Sequence, residues 1–245
     1  MTAPVFGYSG ADLATADRLV LDGPEGRHAA TVRRLRSGER LDLADGAGLV
    51  AHGVVEVAHK DRLEVLIDSR TTSPAPALRL VAAQALPKGD RGELAVELMT
   101  EVGVDGVIAW AAERCVSRWS GERAGKALER WRATAREAAK QSRRPWWPLV
   151  EGPVSTDELA ERAGRAALAL VLHEGAGEPL AGVELPEAGE VLLVVGPEGG
   201  VTAAEREALT AAGGRAVRMG PTVMRTSTAG AAAAAALLAR TPRWA

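Results

Sequence analysis

A chain of 245 residues, 47% apolar and 25% charged, is long enough to bury one large core or two smaller ones. Its formal net charge of −2 excludes nucleic-acid binding by bulk charge, so any such contact must come from a local patch. A single cysteine, Cys115, excludes an intramolecular disulfide framework and a multi-cysteine zinc site, and the longest apolar run, 229–239, falls short of the ~20 residues that span a bilayer.

The opening residues carry neither a basic head nor an apolar signal core, so the expectation is a soluble, cytoplasmic protein with Cys115 as a buried, inert thiol. Residues 1–70 read as β structure. The stretch 39–45 alternates polar and apolar side chains, Asp45-Gly46 supplies a tight turn, and 49–57 resumes the alternation. Residues 62–68 make a further strand. Short strands joined by tight turns predict a small barrel or sandwich. The prolines of 71–77 hold an extended backbone and bury nothing, as in a linker.

After residue 77 the pattern becomes α/β. Strands are expected at 78–86 and 106–110, with helices at 91–102 and 122–143. Ser155 and Glu158 form a capping box that opens another helix, and Thr202 and Glu205 form a second. The continuous apolar runs 167–172 and 191–195 suit strands buried on both faces. The alternation predicts a mostly parallel sheet with helices on both sides.

Three glycine-bearing segments follow apolar runs in this half: His173-Glu174-Gly175, Gly-Pro-Glu-Gly-Gly at 196–200, and the loop 219–229. None is a dinucleotide fingerprint or a phosphate loop. Their convergence at strand ends predicts a pocket in which backbone amides and carbonyls hold a nucleoside. A basic stripe is the second feature. Between Ala112 and Pro148 ten Arg and Lys stand against four Glu, and Arg132, Arg136, Lys140 and Arg144 recur every four residues along one helix face. Five tryptophans (110, 119, 131, 146 and 147) lie in or beside it, either as stacking partners for splayed bases or as core anchors. A second basic cluster, Arg27, His28, Arg33, Arg34 and Arg36, lies in the β-rich half. Both clusters are read as RNA contacts, with Arg143 completing the set.

Taken together, 196–200 with Thr202 and Glu205, and Met219-Gly220 with Val223-Met224-Arg225-Thr226 and Thr228-Ala229, resemble the cofactor loops of the knotted, SPOUT-class RNA methyltransferases. Four further stretches are similar to the bacterial family that methylates uracil N3 in 16S ribosomal RNA: Lys88 with Glu93, 100–104, Glu113-Arg114-Cys115, and 137–143 with Pro145. His28, Val32, Arg34, Gly38 and Asp45-Gly46 look like that family's PUA-like RNA-binding domain. Thr222 and Ser227 stand where the family's last loop carries an arginine and a glutamate, and Val32-Arg33-Arg34 replaces Val-Leu-Arg.

The resemblance implies an α/β fold: a PUA-like β-barrel at 1–72, a linker at 73–77, and a trefoil-knot methyltransferase domain with a mostly parallel sheet at 78–245. It implies S-adenosyl-L-methionine as cofactor without a metal, 16S ribosomal RNA as partner, and a homodimer with sites near the subunit interface. The cofactor set is Leu172, His173, Glu174, Gly196, Pro197, Glu198, Gly199, Gly200, Met219, Gly220, Val223, Met224, Arg225, Thr228 and Ala229. For the chemistry, Arg225 and then Arg114 are expected to stabilise charge on the imide oxygens as the N3 proton leaves, and Glu198 to accept that proton or orient a group. The rivals are ribose 2′-O-methylation of ribosomal or transfer RNA and a non-catalytic ribosome-assembly factor.

Overall fold

Alternating side chains in the first seventy residues fold as half-buried strands. In the computed structural model, which describes residues 3–244, these are β1 (Val5–Gly7), β2 (Arg18–Leu21), β3 (Arg40–Ala44), β4 (Leu49–Ala58) and β5 (Leu63–Thr72). Met1, Thr2 and Ala245, the ends of the two expected domains, lie outside the described residues. The strands form a mixed sheet in the order β1-β3-β4-β5-β2, with β1 parallel to β3 and the other pairs antiparallel. Register shifts at His52/Gly53 and Val55/Val57 mark bulges, which bend and twist a sheet. The β3–β4 turn is locked by Asp45, whose Oδ1 accepts N–H groups from Ala47 (2.7 Å) and Leu49 (3.0 Å). Helix α1 (Gly23–Arg27) widens into a helical turn at His28–Val32 and closes one side. Phe6, Leu19, Leu41, Leu43, Leu63 and Val65 fill a separate core. Strands β1 and β2 escape a periodicity reading because three or four residues show too little of the pattern.

The second sheet is made by β6 (Leu78–Ala85), β7 (Gly106–Trp110), β8 (Leu149–Val154), β9 (Leu168–Leu172), β10 (Glu178–Pro179), β11 (Gly189–Val195) and β12 (Arg215–Arg218). Among the described residues its order is β10-β12-β9-β11-β6-β7-β8, and every pairing is parallel. Helices α2 (Arg91–Val102), α4 (Thr156–Arg165), α5 (Ala203–Ala211) and α6 (Thr226–Leu238) belong to this half, as does α3 (Gly121–Gln141) up to Ala138; α3 ends at Gln141, short of the expected 143. Both expected capping boxes are present: Ser155 accepts the Glu158 N–H, and Thr202 that of Glu205. Strands β8 and β10 were not expected, and β12 was expected only as an unbounded strand before the 219–229 loop. Strand β8 contains Gly152 and Pro153, and β12 has only two apolar residues, Ala216 and Val217, between arginines, so neither has the signature of a buried strand.

Small residues let the α6 helix approach its neighbours. A Cβ at Gly230 would stand 2.7 Å from the Met99 sulfur on α2. A Cβ at Gly92 on α2 would meet the Trp131 ring of α3 at 2.7 Å. Trp110 and Trp131 are buried to 0% and 1% exposure. At roughly 25 cal/mol per Å² and about 200 Å² per ring, each is worth on the order of 5 kcal/mol as core. Trp119 packs edge-to-face on Trp131, with centroids 5.0 Å apart. Trp110 and Trp131 are thus core anchors with no face open to a base, and Trp119 is a partly buried ring packed against their core.

Contacts divide the chain within the stretch 73–77 and also assign a later segment, Ala139–Trp147, to the first unit. One compact unit comprises the described residues up to Ala75 together with Ala139–Trp147; the other comprises Pro76–Ala138 and the described residues from Pro148 on. Within the first unit the Trp146 indole N–H donates to the Ser73 carbonyl (2.9 Å). The Trp147 ring lies on Gly46, where a Cβ would stand 2.4 Å from it. Lys140, expected on an RNA-facing stripe, is instead 6% exposed with its ammonium 2.6 Å from Glu25. Four-residue spacing placed it on one face with Arg136 but carries no information on what that face meets.

Candidate active site

In a parallel sheet every strand ends on the same edge, and there the backbone N–H groups of following loops and helices stay unpaired by the ladder. At that edge β6, β9, β11 and β12 open a cleft of about 640 Å³. All the expected cofactor residues except Thr228 line it: Leu172, His173 and Glu174 after β9, residues 196–200 after β11, and Met219, Gly220, Val223, Met224, Arg225 and Ala229 after β12. Thr228 is exposed, and its hydroxyl donates to the Arg225 carbonyl (3.1 Å) in the first turn of α6. Lys88, Arg91 and Val116 line the cleft as well and were not foreseen there, and Thr222 lines it as part of the expected 219–229 loop.

Glycine is required at specific points. Gly200 and Gly220 hold φ of +74° and +122°, and at both a Cβ would point into open space with no atom within 4 Å. The two loops therefore present bare backbone to the cleft. Gly199 meets a different constraint: a Cβ there would stand 3.0 Å from that of Arg114, whose guanidinium donates to the Gly199 carbonyl (3.0 Å). Arg114 thus braces the first loop with one of its donors. Glu198 accepts the backbone N–H of Lys88 at 3.3 Å and ties that loop to the end of β6. Arg225 caps α6 through its carbonyl, and its guanidinium makes no hydrogen bond or ion pair among the described residues.

Two buried groups hold the loops in place: Gln84, which was not singled out from sequence, and Glu205, which was expected only as a helix cap and a part of the cofactor-loop motif. Gln84, fully buried in β6, donates to the Thr226 hydroxyl (2.9 Å), which donates to the Gly196 carbonyl (2.7 Å). One relay thereby joins the β11 loop to the start of α6. Glu205, 5% exposed, does more than cap α5: its carboxylate also accepts the Glu113 N–H (2.7 Å) and the Thr156 hydroxyl (3.2 Å). It fixes the segment that delivers Arg114. The capping box gave a local reason for a glutamate at 205 and hid this longer-range one. Ser227, where relatives of the resemblance carry glutamate, is 2% exposed, a place that would charge the cost of burying a carboxylate.

His173 accepts the Gly175 N–H at Nδ1 (3.0 Å), and its Nε2 lies 3.0 Å from the Arg206 guanidinium. Cys115 is buried, and desolvation pushes its thiol pKa up, the opposite of an activated nucleophile. Among the described residues no group of His, Cys, Asp and Glu has the makings of a metal site.

The other expected RNA residues are dispersed. Arg27, Arg33, Arg34 and Arg36 are exposed around α1 and the turn after it, while His28 packs edge-on to Phe6 at 5.9 Å. On α3, Arg136 is exposed, but Arg132 donates to the Val150 carbonyl (3.1 Å) and to Glu129 (2.6 Å). Arg143 is exposed and donates to the Ala3 carbonyl (2.6 Å); Arg144 is half-buried.

The parallel sheet with its glycine loops around a cleft and the separate β unit with its exposed basic turn each match a family model of one class, the RNA methyltransferases. A model of the RNA methyltransferase domain matches residues 73–238, and one of the RNA methyltransferase PUA domain matches 21–68. The "Ribosomal RNA small subunit methyltransferase E" of Mycobacterium tuberculosis is 50% identical over 229 residues, covering 92% of this chain and 87% of its own. That of Bacillus subtilis is 31% identical over 217 residues, covering 85% of each. The chain belongs to this family of RNA methyltransferases. Among solved structures, the Neisseria gonorrhoeae small subunit methyltransferase E bound to S-adenosyl methionine superposes with a TM-score of 0.86 at 27% identity, covering 98% of both chains. A Legionella pneumophila putative methyltransferase with bound cofactor superposes at 0.85, also 27% identical, covering 98% of this chain and 99% of that one.

Proposed function

We propose that this protein transfers the methyl group of S-adenosyl-L-methionine to N3 of a uridine in small-subunit ribosomal RNA. The observation that carries the reading is the cleft where two bare-backbone glycine loops meet the uncommitted guanidinium of Arg225. Open space at the Cβ positions of Gly200 and Gly220 fits a nucleoside cofactor lying against backbone, and Leu172, Val195, Val217 and Met219 offer it an apolar floor. The relatives' names supply the RNA, their bound cofactor supplies the donor, and the N3 position follows the motif resemblance.

The cofactor, when bound, supplies an electrophilic methyl group. The residues must provide what uracil lacks. N3 carries a proton, and its lone pair becomes available only as that proton leaves, so negative charge grows on the two flanking carbonyl oxygens. Arg225 offers a planar fork of donors to that charge. Arg114 steadies the loop with one nitrogen and has others to spare. Glu198 keeps one carboxylate oxygen beyond its contact with Lys88 and is the acceptor for the proton. N3 lies on the pairing edge, so the base is presented unpaired or flipped. The reading includes a homodimer and a cytoplasmic site of action on the small ribosomal subunit; no helix among the described residues is long and apolar enough to cross a membrane.

Mass spectrometry of nucleosides from 16S RNA of a deletion strain tests it. Loss of 3-methyluridine, restored by the wild-type gene, is expected. Loss of a 2′-O-methylated nucleoside instead would move the chemistry to ribose, and an unchanged nucleoside profile would leave a non-catalytic factor.

A further inference from the structure

The loops after β9, β11 and β12 account for three sides of the cleft. The fourth comes from the end of β6 and the start of α2, which contribute Lys88 and Arg91. Neither side chain makes a hydrogen bond or ion pair among the described residues. Other arginines of this unit do pair: Arg162 with Glu151 and Glu190, Arg215 with Glu178, and Arg130 with Glu93, two residues after Arg91 in α2. Two cations thus stay uncommitted on a cleft wall although carboxylates are close by in sequence. Beside them the rim is apolar and open: Val116 is 64% exposed and Val223 79%. Uncommitted cations next to exposed apolar surface match a nucleotide, with its charged phosphates and its flat base.

The charge of the cofactor decides between two anions. S-adenosyl-L-methionine carries a sulfonium and an ammonium against one carboxylate, so its net positive charge draws no net attraction from a wall bearing two cations; the cleft's carboxylates, Glu174 and Glu198, lie on the loops after β9 and β11 instead. RNA brings one negative charge per nucleotide and gains by displacing counterions. We propose that Lys88 and Arg91 form a subsite for the phosphates flanking the target nucleotide, with Val116 and Val223 as the apolar rim against its base. This rests on the RNA-methyltransferase reading of the same cleft.

The test uses the full-length protein and a small-subunit RNA fragment that the wild type methylates. The Lys88→Ala/Arg91→Ala variant should bind the fragment more weakly and flatten the log–log salt dependence of binding by roughly 1.4, about 0.7 for each phosphate no longer neutralised. Lys88→Arg/Arg91→Lys, which keeps both charges, should restore the slope. Cofactor affinity by calorimetry should stay within about twofold. Replacing the phosphates flanking the target uridine by neutral methylphosphonates should weaken wild type and leave the double variant nearly unaffected. An unchanged slope in a folded double variant overturns the subsite. So does a loss of cofactor affinity at constant RNA slope, which would assign the pair to the methionyl carboxylate. A wild type that binds cofactor but methylates no RNA would fail the underlying reading instead, and is recognised before any variant is made.

Discussion

Arg225 enters the cleft from the residue that caps α6, so its backbone is fixed while its guanidinium stays uncommitted. A group that acts only as charge develops should matter to rate far more than to binding. Arg225→Ala is expected to lower single-turnover methylation by about 10²–10³, the scale for one preorganised donor, with little change in cofactor or RNA affinity. Arg225→Lys should rescue poorly; a fully active alanine variant would remove the residue from the mechanism. Thr226 is different, because it sits between Gln84 and Gly196. Thr226→Val keeps the shape, leaves the Gly196 carbonyl without this donor and reduces the Gln84 amide to its bond with the Ala85 carbonyl, at a cost of about 1–3 kcal/mol in stability. Cofactor KM should rise more than kcat falls, and Thr226→Ser should recover both. Cys115 gives a pH test. Burial holds its folded-state pKa above the ordinary thiol value, so this contribution to stability is present below that value and lost as pH rises through the folded-state one. Alkylation of the native thiol should therefore be slow at neutral pH and accelerate on denaturation; rapid labelling of folded enzyme would contradict the burial.

Helix α3 shows how one element serves two ends. Its cations share a helical repeat but not a task. Lys140 neutralises Glu25 in a nearly buried pair, Arg132 holds the Val150 carbonyl and Glu129, and Arg136 stays in solvent. Lys140→Ala strands a partly buried carboxylate and should cost about 3 kcal/mol, the low end for a broken buried pair because Glu25 retains some exposure. Arg136→Ala should leave stability within about 0.5 kcal/mol. If Arg136 meets RNA, its removal lowers the salt slope by roughly 0.7. Thermal melts and salt titrations of both variants separate the two roles; equal melting temperatures would refute the division.

Over the whole molecule, a net charge of −2 leaves RNA affinity to local patches, and the exposed Arg33, Arg34 and Arg36 belong to the unit that the PUA model matches. That unit is discontinuous, since Ala139–Trp147 returns to it from the middle of the chain. Cutting the chain before Pro76 thus removes the partners of Lys140, Trp146 and Trp147. The shortened protein is expected to show red-shifted tryptophan emission and a lower melting temperature than the full chain; unaltered emission would show that 139–147 packs without the first seventy-five residues.

Much of this was determined by sequence alone. Helix α2 and strand β7 fall on the expected residues because α2 carries helical apolar spacing and β7 is an unbroken apolar run, buried at every position. Both capping boxes formed, since a cap is a local bond between residues three apart. The glycine loops could be placed in one cleft because parallel strands all end on one edge. What only the tertiary structure decided depends on partners far apart in sequence. Gln84 and Thr226 are 142 positions apart, Lys140 and Glu25 115, and no periodicity in either segment announces the other. The same spacing that makes a solvated cationic face makes a buried one. What faces it settles the matter: for Lys140 a carboxylate, for Trp131 a glycine on α2, and for Lys88 and Arg91 the open cleft.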